Sequence, residues 1–552
     1  MRFLQPTPPP YDPLKWRALP FAERARQVCV AWAEQGYGAP AAIYGLYLAK
    51  IGLFIGAWLA FCATSPSLGN PGSVADWWLH PLAFQKAILW SMLFEMLGLG
   101  CGSGPLTGRY LPPLGGVLYF MRPGTLTHPM RPGMPILGGD RRTWLDVALY
   151  TAVVGIVAWQ LLSPEVSRGP LLAVLGLMVP LGLSDRTVLL AARGEHYLVT
   201  MVVFVFAGNW IAGAKAVQLA LWFWAGVSKL NHHFPAVVGV MTSNGPLTSS
   251  PRLRRAMYRS FPDDLRPSRL AVVLGHAGTA LELAVPIVLY TATGPWGLGL
   301  GLVLMVALHA YISSNVPMGV PLEWNVMVLY GGFALFMGHP EVGLGDLDAP
   351  LLGGVLGVVL LGVPLLGNVR PDLVSFLPAM RYYAGNWANS VWLLRRGSED
   401  KLRKGLVMSS PWIYDQLAPF YGEGTAEGLV GKVMAFRLMH LHGRVYGPLI
   451  TRAVPDLAAV HWLDGELVAG MVRGWNFGDG HLHDARLLAQ VQAACGMAPG
   501  ELVCVMVESQ PMGAGSLSWE VWDAALGKVD GGTADVGDLR ARQPWETRAL
   551  RG

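Results

Sequence analysis

The sequence predicts an all-α polytopic membrane bundle of about ten transmembrane helices, followed by a small α+β cytoplasmic domain at the C-terminus. Two observations favour this fold class. Of the 552 residues, 53% are hydrophobic and only 14% are charged, whereas soluble globular chains carry about 25% charged residues. The shortage of charge is confined to the earlier part of the chain, and polar patterns return from about residue 395.

The apolar segments give the number of helices. A helix that crosses a bilayer needs about 20 mostly apolar residues. Ten segments approach this length, of which 215–230 and 323–338 are the shortest. The predicted spans are 41–63, 80–101, 144–162, 170–191, 195–212, 215–230, 268–292, 294–313, 323–338 and 350–367.

Lysine and arginine are unevenly distributed among the loops of this bundle. The N-terminal segment 1–40, alternate loops and the chain after the last span are rich in them, and the intervening loops are nearly free of them. Because cytoplasmic loops carry the excess of basic residues, both termini are predicted to be cytoplasmic. This placement accounts for the net charge of +5. The expected partners are therefore membrane lipids, and no nucleic acid is expected.

The chain after the transmembrane domain, 41–367, has a different pattern. An amphipathic connector at 368–399 is predicted to lead into a soluble α+β domain at 400–552, which is a candidate site for a protein partner. In "AVHWLDGELVAGMV", two alternating runs around Asp464-Gly465 predict a β-hairpin. "HDARLLAQVQAACG" predicts a helix from about Asp484 to Gly496, and "ELVCVMVESQ" and "LSWEVWDAALGKV" predict strands.

Ionisable residues in or near the predicted spans mark a candidate site, because charge inside a bilayer is costly. These residues are His196, Lys229, His276, Glu282 and His309. Since consecutive spans run antiparallel, the lysine and the three histidines are predicted at one membrane level, with the glutamate deeper. Burial disfavours the ammonium form, so the lysine could act as a base, and histidines could relay protons or orient a polar head group. Taken singly, each residue also fits a snorkelling lysine or a hydrogen-bonded packing histidine.

Two His-x-His pairs lie in the C-terminal part, His440 with His442 and His481 with His483. Residues i and i+2 of a strand share a face, so two such pairs could bind a metal. Histidines of the surface or of loops explain the pattern more simply, and we expect no metal centre. The five cysteines form no CxxC pair, so the sequence predicts no zinc site and no disulfide framework.

Four stretches of the central region resemble, in order, segments of the vitamin K-dependent γ-carboxylase-like group, also called the horizontally transferred transmembrane domain. They are "RGEHYLVTMV", "ALWFWAGVSKLNHHF", "GHAGTALELAVPIVLY" and "LHAYISSNVPMGV", and the resemblance covers about 190–335. The whole chain, with "RYYAGNWANSVW" and "GWNFGDGHLHDARLL", is similar to an uncharacterised family of bacterial multi-pass proteins. That similarity implies a bacterial inner membrane.

The carboxylase-like resemblance implies roles for residues in these stretches. Lys229 would be the base that deprotonates a hydroquinone, and His196 would hold the quinone or its oxygenated intermediate. The other residues implied to bind the quinone are His276, Glu282, His309, Asn315 and Trp224. The domains that grip a propeptide in the animal enzyme are not recognisable, so the resemblance implies a reaction on a quinone or isoprenoid lipid, with a (hydro)quinone as cofactor, and not protein carboxylation.

Three functions remain open on the sequence. The first is a carboxylase-like membrane enzyme with Lys229 as general base. The second is a non-catalytic protein that binds or moves a lipid or quinone and recruits a partner through its cytoplasmic domain. The third is a transporter in which Glu282 and the histidines relay protons. The sequence has no clear inverted repeat, which weakens the third hypothesis.

Overall fold

A computed structural model of the chain describes residues 3–100, 115–248, 250–317, 321–475 and 477–551. The last residue of the predicted span 80–101 and residues 318–320 of the last carboxylase-like stretch lie outside the described residues. The longer helices of the first part are α1 Phe21–Gln35, α2 Ala41–Ala63, α3 Pro81–Met96, α4 Trp144–Leu162, α5 Arg168–Ser184, α6 Gly194–Phe206, α7 Trp210–Ser228, α8 Phe234–Asn244, α9 Arg269–Thr291, α10 Pro295–Ser313, α11 Leu322–Met337 and α12 Pro350–Val369.

The rest of the chain has shorter helices and most of the strands. The helices are α13 Ile413–Tyr421, α14 Glu423–Met439, α15 Tyr446–Ala453, α16 Gly465–Arg473 and α17 Ala485–Cys495. The strands of the described residues are β1 Tyr258–Ser260, β2 Asp264–Pro267, β3 Asn389–Arg395, β4 Val460–Asp464, β5 Leu502–Val507, β6 Ser516–Asp523 and β7 Gly527–Asp535. Short helical turns lie at Pro13–Trp16, Pro66–Leu68, Val74–Trp77, Gly115–Phe120, Arg186–Ala191, Pro251–Ala256, Leu344–Asp346, Glu399–Gly405, His442–Val445, Leu457–Ala459, Gly480–Leu482 and Val536–Ala541.

Within the described part of the chain, five helices are long and apolar enough to cross a membrane, and the prediction of ten spans is wrong in number. These helices are α2, α4, α9, α10 and α12. Their apolar windows are mostly unburied inside the protein, from 17% buried in α2 to 33% buried in α4 and α9. They present apolar side chains outward, as lipid-facing helices do.

The other five predicted spans correspond to helices of a different kind. Almost every side chain of α3 is buried, including Lys86 and Glu95. The span 170–191 is broken after Ser184, because the next residue, Asp185, caps a new short helix by accepting from Thr187 N at 3.0 Å. The helices α5, α6 and α11 are apolar but shorter than a full span. A run of apolar residues therefore indicates only that a helix is removed from water. Whether that helix is buried in protein or exposed to lipid depends on how the helices pack.

The central helices form a layered bundle. α7 packs against α9, α9 packs against α8 and α10, and α10 packs against α11. α4 and α5 pair on another side of the bundle, and α3 packs against α4. This arrangement surrounds α7 with α6, α9 and α11, so its last residues lie inside the bundle.

The C-terminal domain is built on an antiparallel sheet with strand order β4-β3-β5-β6-β7. β3 is central: Leu393 lies opposite Trp462 of β4 and opposite Val503 of β5. β3 lies in the segment predicted to be an amphipathic connector. Its sequence "NSVWLLR" is nearly continuously apolar and is buried on both faces, so it forms a core strand instead.

The elements predicted from the C-terminal sequence are partly correct. The predicted hairpin at Asp464-Gly465 is wrong: β4 ends at Asp464, whose side chain accepts from Glu466 N at 2.8 Å and begins α16. A carboxylate at this position is a standard helix N-cap, which the alternating pattern concealed. The predicted helix is confirmed as α17, capped by Asp484 and ended by Gly496 in the left-handed conformation. The first predicted strand is confirmed as β5. The second stretch contains β6, a turn at 524–526 and only the first three residues of β7.

The N-terminal segment belongs to the core of the C-terminal domain. α1 packs against α14 and α8. The rings of Trp16 and Phe21 lie 6.3 Å and 5.5 Å from the ring of Trp462 in β4. Arg24 is buried between Trp16 and Trp462, with its guanidinium 4.6 Å and 5.1 Å from the two ring centres. Cation–π contacts thus offset part of the cost of burying this charge.

Candidate functional site

The end of α7 is shaped by a turn that directs Lys229 into the bundle. Lys229 is the residue that caps α7. The side-chain oxygen of Asn231 accepts from the backbone N–H groups of His233 at 2.7 Å and Phe234 at 3.1 Å. These bonds hold the start of α8, so the chain reverses within a few residues. Of the polar cluster "KLNHH", the asparagine makes the turn and the lysine faces inward.

Lys229 forms a buried ion pair with Glu282, which lies in the middle of α9. The two residues are only 6% and 5% exposed. The ammonium also lies 5.5 Å from the ring centre of Phe234. Neither charge would be tolerated alone at this depth, because an isolated buried ion loses its hydration without compensation. The two side chains are therefore one neutral unit.

His309 of α10 is held by hydrogen bonds at both ring nitrogens. The indole N–H of Trp222 donates to His309 Nε2 at 2.9 Å, and His309 Nδ1 lies 2.9 Å from Asn325 Oδ1. An indole nitrogen can only donate, so Nε2 is the unprotonated nitrogen and Nδ1 carries the proton. The imidazole is thereby fixed as one neutral tautomer between α7 and α11.

These side chains line a cavity of about 90 Å³ between α7, α8, α9, α10 and α11. Its polar lining includes Lys229, Glu282, His309, Asn315 and Asn325. Its apolar and aromatic walls include Leu221, Trp222, Phe234, Leu308, Trp324 and Tyr382. Tyr311 also lines it and is 50% exposed, so the cavity borders the outer surface of the bundle. An apolar space with a few directed polar groups is the usual form of a small-molecule site.

The structure brings together four of the seven residues predicted from the sequence, namely Lys229, Glu282, His309 and Asn315. His196 is buried behind the wall, with its ring edge-on to the ring of Trp324 at 6.2 Å. Trp224 points away and donates to the carbonyl oxygen of Leu360 at 2.7 Å. His276 is exposed on the outer face of α9.

Other buried charges of the bundle have structural partners outside the cavity. Lys50 of α2 pairs with Glu323 of α11. Lys86 donates to the carbonyl oxygens of Phe61 at 2.6 Å and Leu161 at 3.0 Å, at the ends of α2 and α4. A cation is favourable at a helix C-terminus, where carbonyl groups lack helical partners.

A family comparison covers nearly the whole chain. The model of a family described as transmembrane protein of unknown function (DUF3556) matches residues 1–549. The chain belongs to this family. No match to a curated protein or to a solved structure was found. Membership agrees with the five apolar helices, and the protein is a transmembrane protein.

The two His-x-His pairs of this DUF3556 member make separate contacts. Nδ1 of His440 and of His442 bonds the carbonyl oxygens of Phe436 at 2.6 Å and Gly385 at 3.0 Å. His483 Nδ1 bonds the hydroxyl of Ser390 at 2.6 Å, and His481 Nε2 bonds Glu508 at 2.8 Å. In the described ranges, no group of three or more His, Cys, Asp or Glu side chains has a metal-binding arrangement.

Burial and neighbouring charges set the protonation of these histidines. Burial lowers the pKa of His440 to about 3 and that of His483 to about 4, and it holds the pKa of His442 well below the ordinary value. Burial also acts to lower the pKa of His481, but the carboxylates of Glu508 and Asp479 outweigh it and raise that pKa. Three of the four rings are therefore neutral structural groups at pH 7.

Sequence reasoning missed the cavity residues Trp222, Trp324 and Asn325. Asn325 carried a detectable signal, because an amide in a largely apolar helix requires a hydrogen-bond partner. The two tryptophans carried none, since aromatic residues in apolar helices are common packing residues.

Proposed function

We propose that the protein is an integral membrane enzyme of the carboxylase-like group, which binds a quinone or another isoprenoid lipid in the cavity and transfers a proton at Lys229 and Glu282. The observation that carries the proposal is the buried Lys229–Glu282 pair in the wall of a largely apolar, aromatic cavity. Unlike Lys50 and Glu323, this pair faces a cavity, and ionisable groups that face a cavity inside a membrane protein are candidates for function.

The pairing refines the role of the lysine. An ammonium has no lone pair, so Lys229 accepts a proton only after passing its own proton to Glu282. Starting from the ion pair, a ligand hydroxyl loses its proton, the carboxylate becomes a carboxylic acid, and the ligand oxygen becomes an oxyanion. The ammonium of Lys229 then stabilises that oxyanion. The reaction conserves charge within the cavity, which a low-dielectric site requires.

His309 and His196 have positioning roles in this proposal. Both ring nitrogens of His309 are engaged with Trp222 and Asn325, so this ring orients its neighbours and does not exchange protons. His196 packs against Trp324 from behind and would support that wall. The quinone would enter from the bilayer beside Tyr311, which is 50% exposed.

The sequence resemblance supports the same site. Lys229 occupies the position of the catalytic lysine in "WFWAGVSKL", and Glu282 and His309 occupy matched positions of the next two segments. The core that the N-terminal segment shares with the C-terminal domain supports both termini on one side of the membrane, and their excess of basic residues supports the cytoplasmic side. The membrane would be a bacterial inner membrane, as the sequence similarity implies. The C-terminal domain would then offer its surface to a cytoplasmic protein partner.

A second candidate function is a non-catalytic lipid- or quinone-binding protein. One observation favours it: Lys229 and Glu282 neutralise each other, and His309 is fully engaged. Such a site can hold a ligand without acting on it. The two functions differ in what the loss of Lys229 does.

The test uses the purified full-length protein in nanodiscs and a prenylated naphthohydroquinone as probe. We expect Lys229→Met to bind the probe within about threefold of wild type. The rate at which added dioxygen consumes the bound probe should fall at least about tenfold, because the paired base that forms the reactive hydroquinone anion is gone. Lys50→Met is the matched control, since it breaks a buried Lys–Glu pair outside the cavity. Equal consumption by wild type and Lys229→Met would leave only the binding function, and absence of binding by wild type would refute both.

A further inference from the structure

We infer that the ligand of this cavity presents a carbonyl or oxyanion oxygen to two specificity-determining N–H donors, Asn325 Nδ2 and Trp324 Nε1. This inference rests on the proposed function and narrows its substrate class. Neither residue was expected from the sequence, and both line the cavity.

The orientation of Asn325 follows from a chain of hydrogen bonds. The indole N–H of Trp222 can only donate, so His309 Nε2 accepts and His309 Nδ1 carries the proton. That proton must be donated to an acceptor, which identifies the Asn325 atom 2.9 Å away as the amide oxygen. The amide nitrogen is consequently on the other side. Asn325 is 1% exposed, and Nδ2 has no hydrogen-bond partner among the described residues.

Trp324 supplies a second donor from the adjacent position of α11. Its ring is held between Tyr382, with ring centres 4.9 Å apart, and His196, at 6.2 Å. The residue is 7% exposed, and Nε1 has no hydrogen-bond partner in the part of the chain that the structure describes. Packing on two sides therefore restricts the direction in which this N–H can point.

The chemistry of these donors selects the ligand. An indole N–H and an amide NH2 cannot accept, and leaving them buried without partners is unfavourable. A carbonyl oxygen has two lone pairs and satisfies two donors at once. An oxyanion satisfies them better, since hydrogen bonds to charged acceptors are stronger. The cavity thus combines a proton acceptor, Glu282 with Lys229, and donors that stabilise the oxygen of a quinone, a ketone or their anions.

Binding of two matched probes to the full-length protein tests this inference. The probes are 2-methyl-1,4-naphthoquinone and 2-methylnaphthalene, which has the same ring system without oxygen. We expect Trp324→Phe and Asn325→Leu each to weaken quinone binding about tenfold and to change the Kd of the hydrocarbon by less than twofold. Trp224→Phe is the control, because it removes an indole N–H that bonds Leu360 outside the cavity.

Trp222→Phe tests whether Trp222 fixes the orientation of the Asn325 amide through His309. Without the indole donor, His309 can change tautomer and the Asn325 amide can turn over, so quinone binding should weaken although no direct donor is lost. Equal weakening for both probes in Trp324→Phe, the least disruptive variant, would overturn the inference and leave the proposed cavity function intact. Absence of quinone binding in wild type would instead refute the proposed function itself.

Discussion

At the scale of single residues, the C-terminal domain buries several histidines in neutral form. His440, His442 and His483 are each at most 1% exposed, and each uses Nδ1 for a protein hydrogen bond. Their second nitrogens have no hydrogen-bond partner within the described ranges. Burial is the main cause of their lowered pKa values, since protonation would place a charge on a nitrogen that is removed from water and lacks an acceptor.

This burial predicts acid lability of the C-terminal domain. A pKa that is lower in the folded state than the ordinary 6.5 means that the unfolded chain binds more protons. The stabilising contribution of each of these histidines is therefore complete above about pH 6.5 and falls as the pH drops toward 4. Each unit of difference between the folded and unfolded pKa corresponds to about 1.4 kcal/mol of this contribution. His481 does not cause this loss of stability at low pH. Because its pKa is raised in the folded protein, its stabilising contribution is complete at low pH and is lost as the pH rises through that pKa.

Thermal unfolding between pH 7 and pH 4.5 measures the effect. His440→Gln should unfold with a smaller pH dependence than wild type, since one titrating group has been removed. His276→Gln, which alters an exposed residue of α9, should keep the wild-type dependence. Identical pH profiles for wild type and His440→Gln would contradict the prediction.

At the scale of elements, one carboxylate joins a strand, a helix and a neighbouring helix. Asp464 ends β4, caps α16 through Glu466 N, and accepts from Arg437 of α14 at 2.7 Å. Both partners of the ion pair are 1% exposed. Removing the acid leaves a buried guanidinium that keeps Glu466, at 2.9 Å, as its remaining carboxylate.

We expect Asp464→Ala to destabilise the domain by about 3–5 kcal/mol, because it breaks a buried ion pair and removes a cap. Asp484→Ala is the matched variant, since Asp484 caps α17 through Arg486 N and Leu487 N; it should cost about 1 kcal/mol. Chemical denaturation followed by tryptophan fluorescence would measure both. Similar losses in the two variants would show that the ion pair adds little.

At the scale of the whole molecule, the chain's two ends share a core. Trp16, Phe21 and Trp32 belong to one cluster with residues of the C-terminal sheet and of α14. α8, which follows Lys229 directly, packs against α1. The N-terminal segment therefore connects the C-terminal domain with the helices that form the cavity.

This connection predicts that a change near the N-terminus destabilises the C-terminal domain. Phe21→Ala leaves a cavity beside Trp462 and should cost about 3–5 kcal/mol. Limited proteolysis should then cut the C-terminal domain faster than in wild type. Phe3→Ala is the control, because Phe3 is 70% exposed. Unchanged proteolysis in Phe21→Ala would show that the shared core is not needed for the domain's stability.

Different parts of the structure were predictable to different degrees. α17 carries both of its boundary signals locally, an aspartate before it and a glycine after it, and its prediction is confirmed. The boundary between β4 and α16 also has a local signal, the capping aspartate, but the alternating apolar residues around it fit a strand as well. The Lys229–Glu282 pair joins residues 53 positions apart, and nothing in either neighbourhood identifies the partner.

The sequence by itself determined that this is a membrane protein and where most of its apolar segments lie, because hydrophobicity is a local property of the chain. Only the tertiary structure decided which five helices of the described part face outward, which acid neutralises Lys229, and which tautomer His309 adopts. Those outcomes depend on contacts between distant segments. Packing alone distinguishes a helix buried in protein from one surrounded by lipid.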